Sequence, residues 1–198
     1  MERPASVVKE LVENALDAGA TQVIVEAQGG GIEYLRVTDN GCGIPAAEVE
    51  LAFQRHATSK LATAADLESI ATLGFRGEAL PSIAAVARVS LTTRTADSPR
   101  GHAIELEGGR VNAQGQCGCP PGTSVTVREL FASIPARRKF LKSPSAEAGR
   151  IADLLSRMAL AYPAVRFRLV ADGREALSTS GSGSLQDAIA GLYGAQVA

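Results

Sequence analysis

Along residues 6 to 19, apolar side chains return at Val8, Leu11, Val12, Ala15 and Leu16, the spacing of a helix with one buried face. Ser6 is placed to cap its start and Gly19 to stop it. The period then changes. Residues 21–28 and 32–39 are rich in β-branched and apolar residues and are joined by Gly29-Gly30-Gly31, which predicts an antiparallel hairpin. Because side chains alternate along a strand, Leu35, Val37 and Asp39 share one face, so an aspartate ends an apolar row. The turn "NGCGIP" leads to a predicted helix over about 46–56, with Val49, Ala52, Phe53 and His56 inward. Residues 57–77 are rich in Thr, Ser, Gly and Ala with weak periodicity and read as a mobile connection.

A third helix is predicted to start near Glu78 and to carry Ala79, Leu80, Ile83, Ala84 and Val86, with Pro81 in its first turn. Strands follow at about 88–95, 102–107, 110–114 and 123–129, and then the basic stretch "ARRKFLK". A helix over about 146–161 buries Ile151, Leu154, Leu155 and Met158, and a hairpin turning at Asp172-Gly173 closes the fold. This order predicts a two-layer α+β sandwich rather than alternating βαβ units. From about 180 the "SGSGS" stretch reads as a linker, and Leu185 to Tyr193 as a short helix belonging to a following domain. The helix at the chain start follows Met1-Glu2-Arg3-Pro4 at once, which reads as a cut into a longer domain. The expected organisation is a main domain over 1–180, truncated at its N-terminus, and the beginning of another over 181–198.

Composition narrows the picture without naming a ligand. Of the 198 residues, 45% are hydrophobic, and 20 basic against 21 acidic residues give a net charge of -1, so a nucleic-acid partner would need a local patch. Cys42, Cys117 and Cys119 make no disulfide framework and fit a reducing compartment. The Cys117-x-Cys119 pair lacks the further ligands that zinc wants, since His56 and His102 stand without ligand spacing. No apolar run reaches a membrane-spanning length and no secretory signal opens the chain, so the expectation is a cytoplasmic protein with no membrane partner. Aromatic residues are 4% with no Trp, against base-stacking platforms.

Four stretches carry candidate chemistry. Glu10, Asn14 and Asp17 lie within about 60° of one another on the wheel of the first helix, opposite its apolar face. They are either a solvated stripe, as Lys9 and Glu13 suggest, or the wall of a site. Asp39 is followed by Gly41 and Gly43, which would let a ligand approach the backbone, and its carboxylate can accept a hydrogen bond from an exocyclic amine such as adenine's. The bland alternative is a turn-capping aspartate. In "GFRGEAL", residues 74–80, Gly74 and Gly77 precede a helix N-terminus that could receive phosphate, and Thr58, Ser59 and Lys60 upstream supply donors for a closing lid. Thr123 starts a strand in "PPGTSVTV". A P-loop is absent. Gly41-x-Gly43-x-x-Ala46 matches a dinucleotide fingerprint, but its strand closes a hairpin rather than opening a βαβ unit.

In this order "ELVENALDAG", "DNGCGI", "RHATSK" with "GFRGEAL", and "PPGTSVTV" resemble the four ATP-binding motifs of the GHKL superfamily of gyrases, heat-shock chaperones, histidine kinases and MutL. "ERPASVVKELVEN" and "PARRKFLK" resemble the MutL family of DNA mismatch repair proteins, and the likeness runs through about residue 170. The resemblance implies a Bergerat-type ATPase fold, a mixed and mostly antiparallel sheet covered by helices, binding ATP or ADP with Mg²⁺. It implies that Glu10 is the general base, that Asn14 binds Mg²⁺ and that Asp17 supports them. Asp39 would read the adenine amine beside Gly41 and Gly43. Thr58, Ser59, Lys60 and the loop of Gly74, Phe75, Arg76, Gly77, Glu78, Ala79 and Leu80 would fold over the phosphates, and Thr123 would touch Asp39's side of the base.

The family implies a slow, nucleotide-timed switch that dimerises and couples a mismatch recognition protein and DNA to strand incision. Arg137, Arg138, Lys139 and Lys142 could touch DNA or simply be solvated. In the family a segment precedes "ERPAS" and a following domain supplies a lysine to the γ-phosphate. The expectation for this chain alone is nucleotide binding with poor hydrolysis, as a monomer. A histidine kinase would need a phosphoacceptor histidine in an upstream helical hairpin, which this chain does not show. A non-enzymatic nucleotide-gated scaffold differs only if Glu10 is idle.

Overall fold

The computed structural model describes residues 1–54, 78–194 and 196. In chain order the elements are α1 (Pro4–Asp17), β1 (Gln22–Gln28), β2 (Tyr34–Asp39), α2 (Ala79–Ala84), β3 (Arg88–Arg94), β4 (Gly101–Glu107), β5 (Arg110–Cys117), β6 (Gly122–Arg128), α3 (Pro135–Lys139), α4 (Pro144–Ala161), β7 (Arg166–Ala171), β8 (Arg174–Ser178) and α5 (Leu185–Tyr193).

α1 starts two residues before the predicted cap. Arg3 is the extended N-cap residue with no side-chain cap, and its carbonyl accepts the N–H groups of Ser6 and Val7. Pro4 explains the shift: at the first helical position its fixed φ suits the helix and its missing N–H is no loss, so Ser6 lies inside the helix. At the other end Gly19 takes φ +71, and the N–H of Ala20 returns to the carbonyl of Ala15 at 3.0 Å. Val8, Leu11, Val12 and Ala15 of the predicted face are buried together with Val7, and Leu16 is half-buried.

The helix expected over 46–56 does not form within the described residues. Two separate 3-10 turns stand there, Ala46–Glu48 and Leu51–Phe53. Val49 is fully buried and Phe53 is half-buried against the core, while Leu51 is 47% exposed, so the segment docks at separate points rather than along the continuous stripe of a helix. His56 and the connection expected over 57–77 lie outside the described residues.

Eight strands form one sheet in the order β5-β4-β3-β6-β2-β1-β7-β8. Every pairing is antiparallel except β1 with β7. The α4 crossover allows that exception: a long helix over the sheet returns the chain in the direction of β1. The predicted hairpin is present, with Val25 opposite Val37. One sheet face meets the helices through Val23, Val25, Leu35, Val37, Val89, Leu91, Ile104, Leu106, Val125, Val127, Phe167 and Leu169, all buried. Ile151, Leu155 and Ala159 of α4 and the apolar face of α1 complete that core. The result is the α+β architecture expected, a mixed sheet with helices packed on it.

The three-glycine link is packed. Gly30 has φ +67, and a Cβ there would lie 2.4 Å from the carbonyl oxygen of Pro144, so the start of α4 rests directly on the hairpin turn. At the far end α5 packs against α4 and β8 through the buried Ala188. Ser184 caps α5, accepting the N–H of Asp187.

Candidate functional site

Asp39 is the last residue of β2, beyond the buried Leu35 and Val37, opposite Val23 of β1. Its Oδ1 accepts the backbone N–H of Gly41 at 2.8 Å and of Thr123 at 3.3 Å. Burial pushes its carboxyl above the ordinary carboxylate range, and those two hydrogen bonds pull it back part of the way. Among the described residues nothing donates to Oδ2, which remains as an acceptor for a ligand.

Asp39 is a turn cap and more than one. It ties the turn after β2 to the start of β6, two neighbouring strands, so it links sequence-distant segments. Gly122 lies under it with φ +113, and a Cβ there would meet the Asp39 carbonyl oxygen at 2.2 Å. Beside it Thr93, almost fully buried at the end of β3, donates to the Gly122 carbonyl at 3.0 Å, accepts the N–H of Ile44 at 2.8 Å and lies 3.0 Å from the Thr123 hydroxyl. Sequence reasoning missed Thr93. Its signal was present, since Val89, Leu91 and Thr93 repeat the pattern of Leu35, Val37 and Asp39: an apolar row ending in a polar group.

The glycines after Asp39 are occupied differently from expectation. Gly41 packs on the end of α1, where a Cβ would stand 2.8 Å from both the Cβ and the carbonyl oxygen of Ala18. Gly43, at φ +73, faces the Arg94 carbonyl, 2.2 Å from a built Cβ. Both therefore admit the protein's own backbone. The Cys42 N–H donates to the Ala18 carbonyl at 2.9 Å, which clasps this turn to α1. Asn40, a second residue missed, accepts the N–H groups of Thr21 and Gln22 and donates to the Thr21 hydroxyl, fixing the same corner. The turn and its two 3-10 followers, after an antiparallel strand, exclude the dinucleotide βαβ reading.

On α1, Glu10, Asn14 and Asp17 are half-buried along one side. Lys9 and Glu13 form an i,i+4 ion pair on the neighbouring stripe, with Lys9 exposed and Glu13 half-buried. Among the described residues the side chains of Glu10 and Asn14 make no hydrogen bond or ion pair with the protein. A half-buried carboxylate and amide one helical turn apart, with hydrogen-bonding capacity unspent, can serve a ligand that brings its own donors, acceptors or metal.

α2, where the chain re-enters the described structure, packs against α1. There Glu78 is the exposed N-cap residue, Ala79 opens the helix and Leu80 is half-buried against the core. Thr58, Ser59, Lys60, Gly74, Phe75, Arg76 and Gly77 lie outside the described residues. Thr123 adjoins Asp39 through its backbone N–H. A shallow recess of about 290 Å³ reaches Asp39 and Thr123 from the open face of the sheet, past Glu26, Arg36 and Thr38. Among the described residues no helix is long and apolar enough to cross a membrane, and no three His, Cys, Asp or Glu side chains gather as a metal cage.

Residues 1–113 match the family described as histidine kinase-, DNA gyrase B- and HSP90-like ATPase. The DNA mismatch repair protein MutL of Desulforudis audaxviator is 57% identical over all 198 residues, and that of Pelotomaculum thermopropionicum 53%. The chain spans about a third of the length of these relatives, 35% and 33%. Among solved structures, the Aquifex aeolicus MutL ATPase domain complexed with ADP is 37% identical with a TM-score of 0.77, over 98% of this chain and 69% of that one. The open polar stripe of α1, the paired strand ends at Asp39 and Thr123 and the mixed sheet thus stand in a known framework, and the chain belongs to the histidine kinase-, DNA gyrase B- and HSP90-like ATPase family, in its MutL branch.

Proposed function

We propose that this chain binds and hydrolyses ATP with Mg²⁺, as the nucleotide-driven switch of a DNA mismatch repair protein. The observation that carries the reading is Asp39: a buried carboxylate whose Oδ1 is held by two backbone N–H groups while Oδ2 stays available for one more donor. The exocyclic amine of adenine is such a donor, and guanine presents a carbonyl at that ring position, which the carboxylate would repel. Thr93 and Thr123 hold the strand ends in place, so the acceptor is preorganised.

From α1, Glu10 accepts a proton from the attacking water as it adds to the terminal phosphorus and ADP leaves. Asn14 offers an amide oxygen, a hard donor suited to Mg²⁺, which commonly takes one or two protein oxygens and completes its shell with phosphates and water. Bound there, the metal would neutralise phosphate charge. Asp17 supports the helix end, and Thr58, Ser59, Lys60 and residues 74–80 close over the phosphates. The full protein acts as a dimer with DNA and a mismatch recognition partner. This chain alone is a monomer of low turnover in the cytoplasm, its main domain spanning 1–180.

Calorimetric titration with a non-hydrolysable ATP analogue, with and without Mg²⁺, tests the reading. The analogue binds in both conditions and more tightly with the metal, and Asn14→Ala removes the metal's contribution while leaving metal-free binding within about threefold. Absence of binding in either condition refutes the proposal.

A further inference from the structure

Cys117 closes β5 and Cys119 begins the link to β6, with only Gly118 between them. Their sulfurs are 4.0 Å apart, the Cys117 thiol directed at Cys119. Both rest on Gly101, where a built Cβ would lie 2.2 Å from the Cys119 Sγ and 3.3 Å from the Cys117 Sγ, so a bare stretch of β4 is the floor that keeps them side by side. Gly118 has open space around its Cα and no side chain to resist a tighter turn. A recess of about 510 Å³, lined by Arg94, Pro99, Arg100, Gln116 and both cysteines, opens the pair to small solutes. Burial and the neighbouring thiol push the Cys117 thiol up, and neither cysteine is in a disulfide.

We propose that Cys117 and Cys119 form a reversible dithiol–disulfide site that closes by exchange with a low-molecular-weight disulfide and loosens the grip of Thr123 on Asp39. In the first step one cysteine thiolate attacks the small disulfide, forming a mixed disulfide and expelling one small thiolate, which takes up the proton the cysteine lost. In the second, the other cysteine, as thiolate, attacks the protein-side sulfur and expels the second small thiol. Two protein thiols are oxidised to one disulfide, and one small disulfide is reduced to two thiols. Closing the bond draws the sulfurs from 4.0 Å to about 2 Å.

The movement has a route to the candidate site. The Arg94 Nε–H donates to the Cys119 carbonyl at 2.7 Å, and the Arg94 carbonyl presses on Gly43. Three residues beyond Cys119, Gly122 packs on the Asp39 carbonyl, and the Thr123 N–H is bonded to Asp39 at only 3.3 Å. The coupling, unlike the disulfide itself, rests on the nucleotide reading above.

The test uses a Cys42→Ser background, because Cys42 is a third, exposed thiol. The folded protein is equilibrated with oxidised glutathione and its intact mass and peptides are measured. The expected product has lost two hydrogens, carries a Cys117–Cys119 link and bears no glutathione. Adding Cys117→Ser or Cys119→Ser leaves a stable glutathione adduct on the remaining thiol. Stable adducts in the Cys42→Ser protein, or thiols that stay unreacted, overturn the site. A fluorescent ATP analogue is then titrated into the reduced and oxidised forms. Oxidation weakens binding roughly fivefold, about one hydrogen bond's worth, and dithiothreitol restores it. Equal affinities overturn the coupling, whereas no binding by the reduced form refutes the nucleotide reading and leaves the mass result standing.

Discussion

Replacing Asp39 by Asn keeps the shape of the side chain and inverts what half of it offers. The amide oxygen of Asn can still take the N–H groups of Gly41 and Thr123, which turns its NH₂ toward the adenine amine, donor against donor. The variant forfeits a charge-assisted hydrogen bond and leaves a buried donor unmet, together about 3–4 kcal/mol, a roughly 10²- to 10³-fold larger dissociation constant. Calorimetry with ADP measures this. Repeating the titration with purine riboside diphosphate, which lacks the amine, completes a double cycle: the wild type loses affinity for it, while the variant, relieved of the donor-against-donor contact, binds it at least as tightly as ADP. The same substitution predicts a stability change of opposite sign. Burial raises the folded-state pKa of Asp39, so ionisation costs the fold stability as pH rises through that pKa, and below the ordinary carboxylate value the cost is absent. The Asn variant therefore gains on the wild type in urea midpoint between about pH 3 and neutrality. Adenine binding within about threefold of wild type would refute the assignment of Oδ2.

Three further substitutions separate chemistry from scaffold. Glu10→Gln lowers the single-turnover hydrolysis rate at least roughly 10²-fold and leaves ADP affinity nearly unchanged, a split that a merely structural Glu10 would not produce. Thr93→Val removes the acceptor for the Ile44 N–H and the donor to the Gly122 carbonyl in a buried position, costing about 1–3 kcal/mol in urea unfolding and weakening ADP binding by way of Thr123. Gly30→Ala, at φ +67 and with Pro144 backbone 2.4 Å away, costs about 2–4 kcal/mol of stability while the ADP affinity of the folded fraction stays constant.

What the sequence made legible follows from how local each signal is. The face of α1, the first hairpin and the apolar rows of the strands are patterns within one segment, and all were readable. The segment after Pro45 was misread because apolar residues at helical spacing look like the face of one helix even when, as with Val49 and Phe53, they reach the core from separate short turns. Ser6 was misplaced as a cap because Pro4, an equally good opening residue, stood two positions earlier. The roles of Gly41 and Gly43 were hidden because the neighbours that demand glycine, Ala18 and Arg94, come from elsewhere in the chain. Of the candidate site, Glu10, Asn14, Asp39 and Thr123 stood out as residue types in motifs, whereas Thr93 and Asn40 emerge only when strands are laid side by side.

The clasp between Ala18 and Cys42 makes the site a ruler. It pins the end of the first helix to the corner that holds Asp39, and on the proposed reading that would set the spacing between the base end and the phosphate end of a ligand before any ligand arrives. Adenosine, ADP and the triphosphate would then lie along one scale with the base in a common pose, each added phosphate contributing its own increment of affinity and none having to reshape the adenine end.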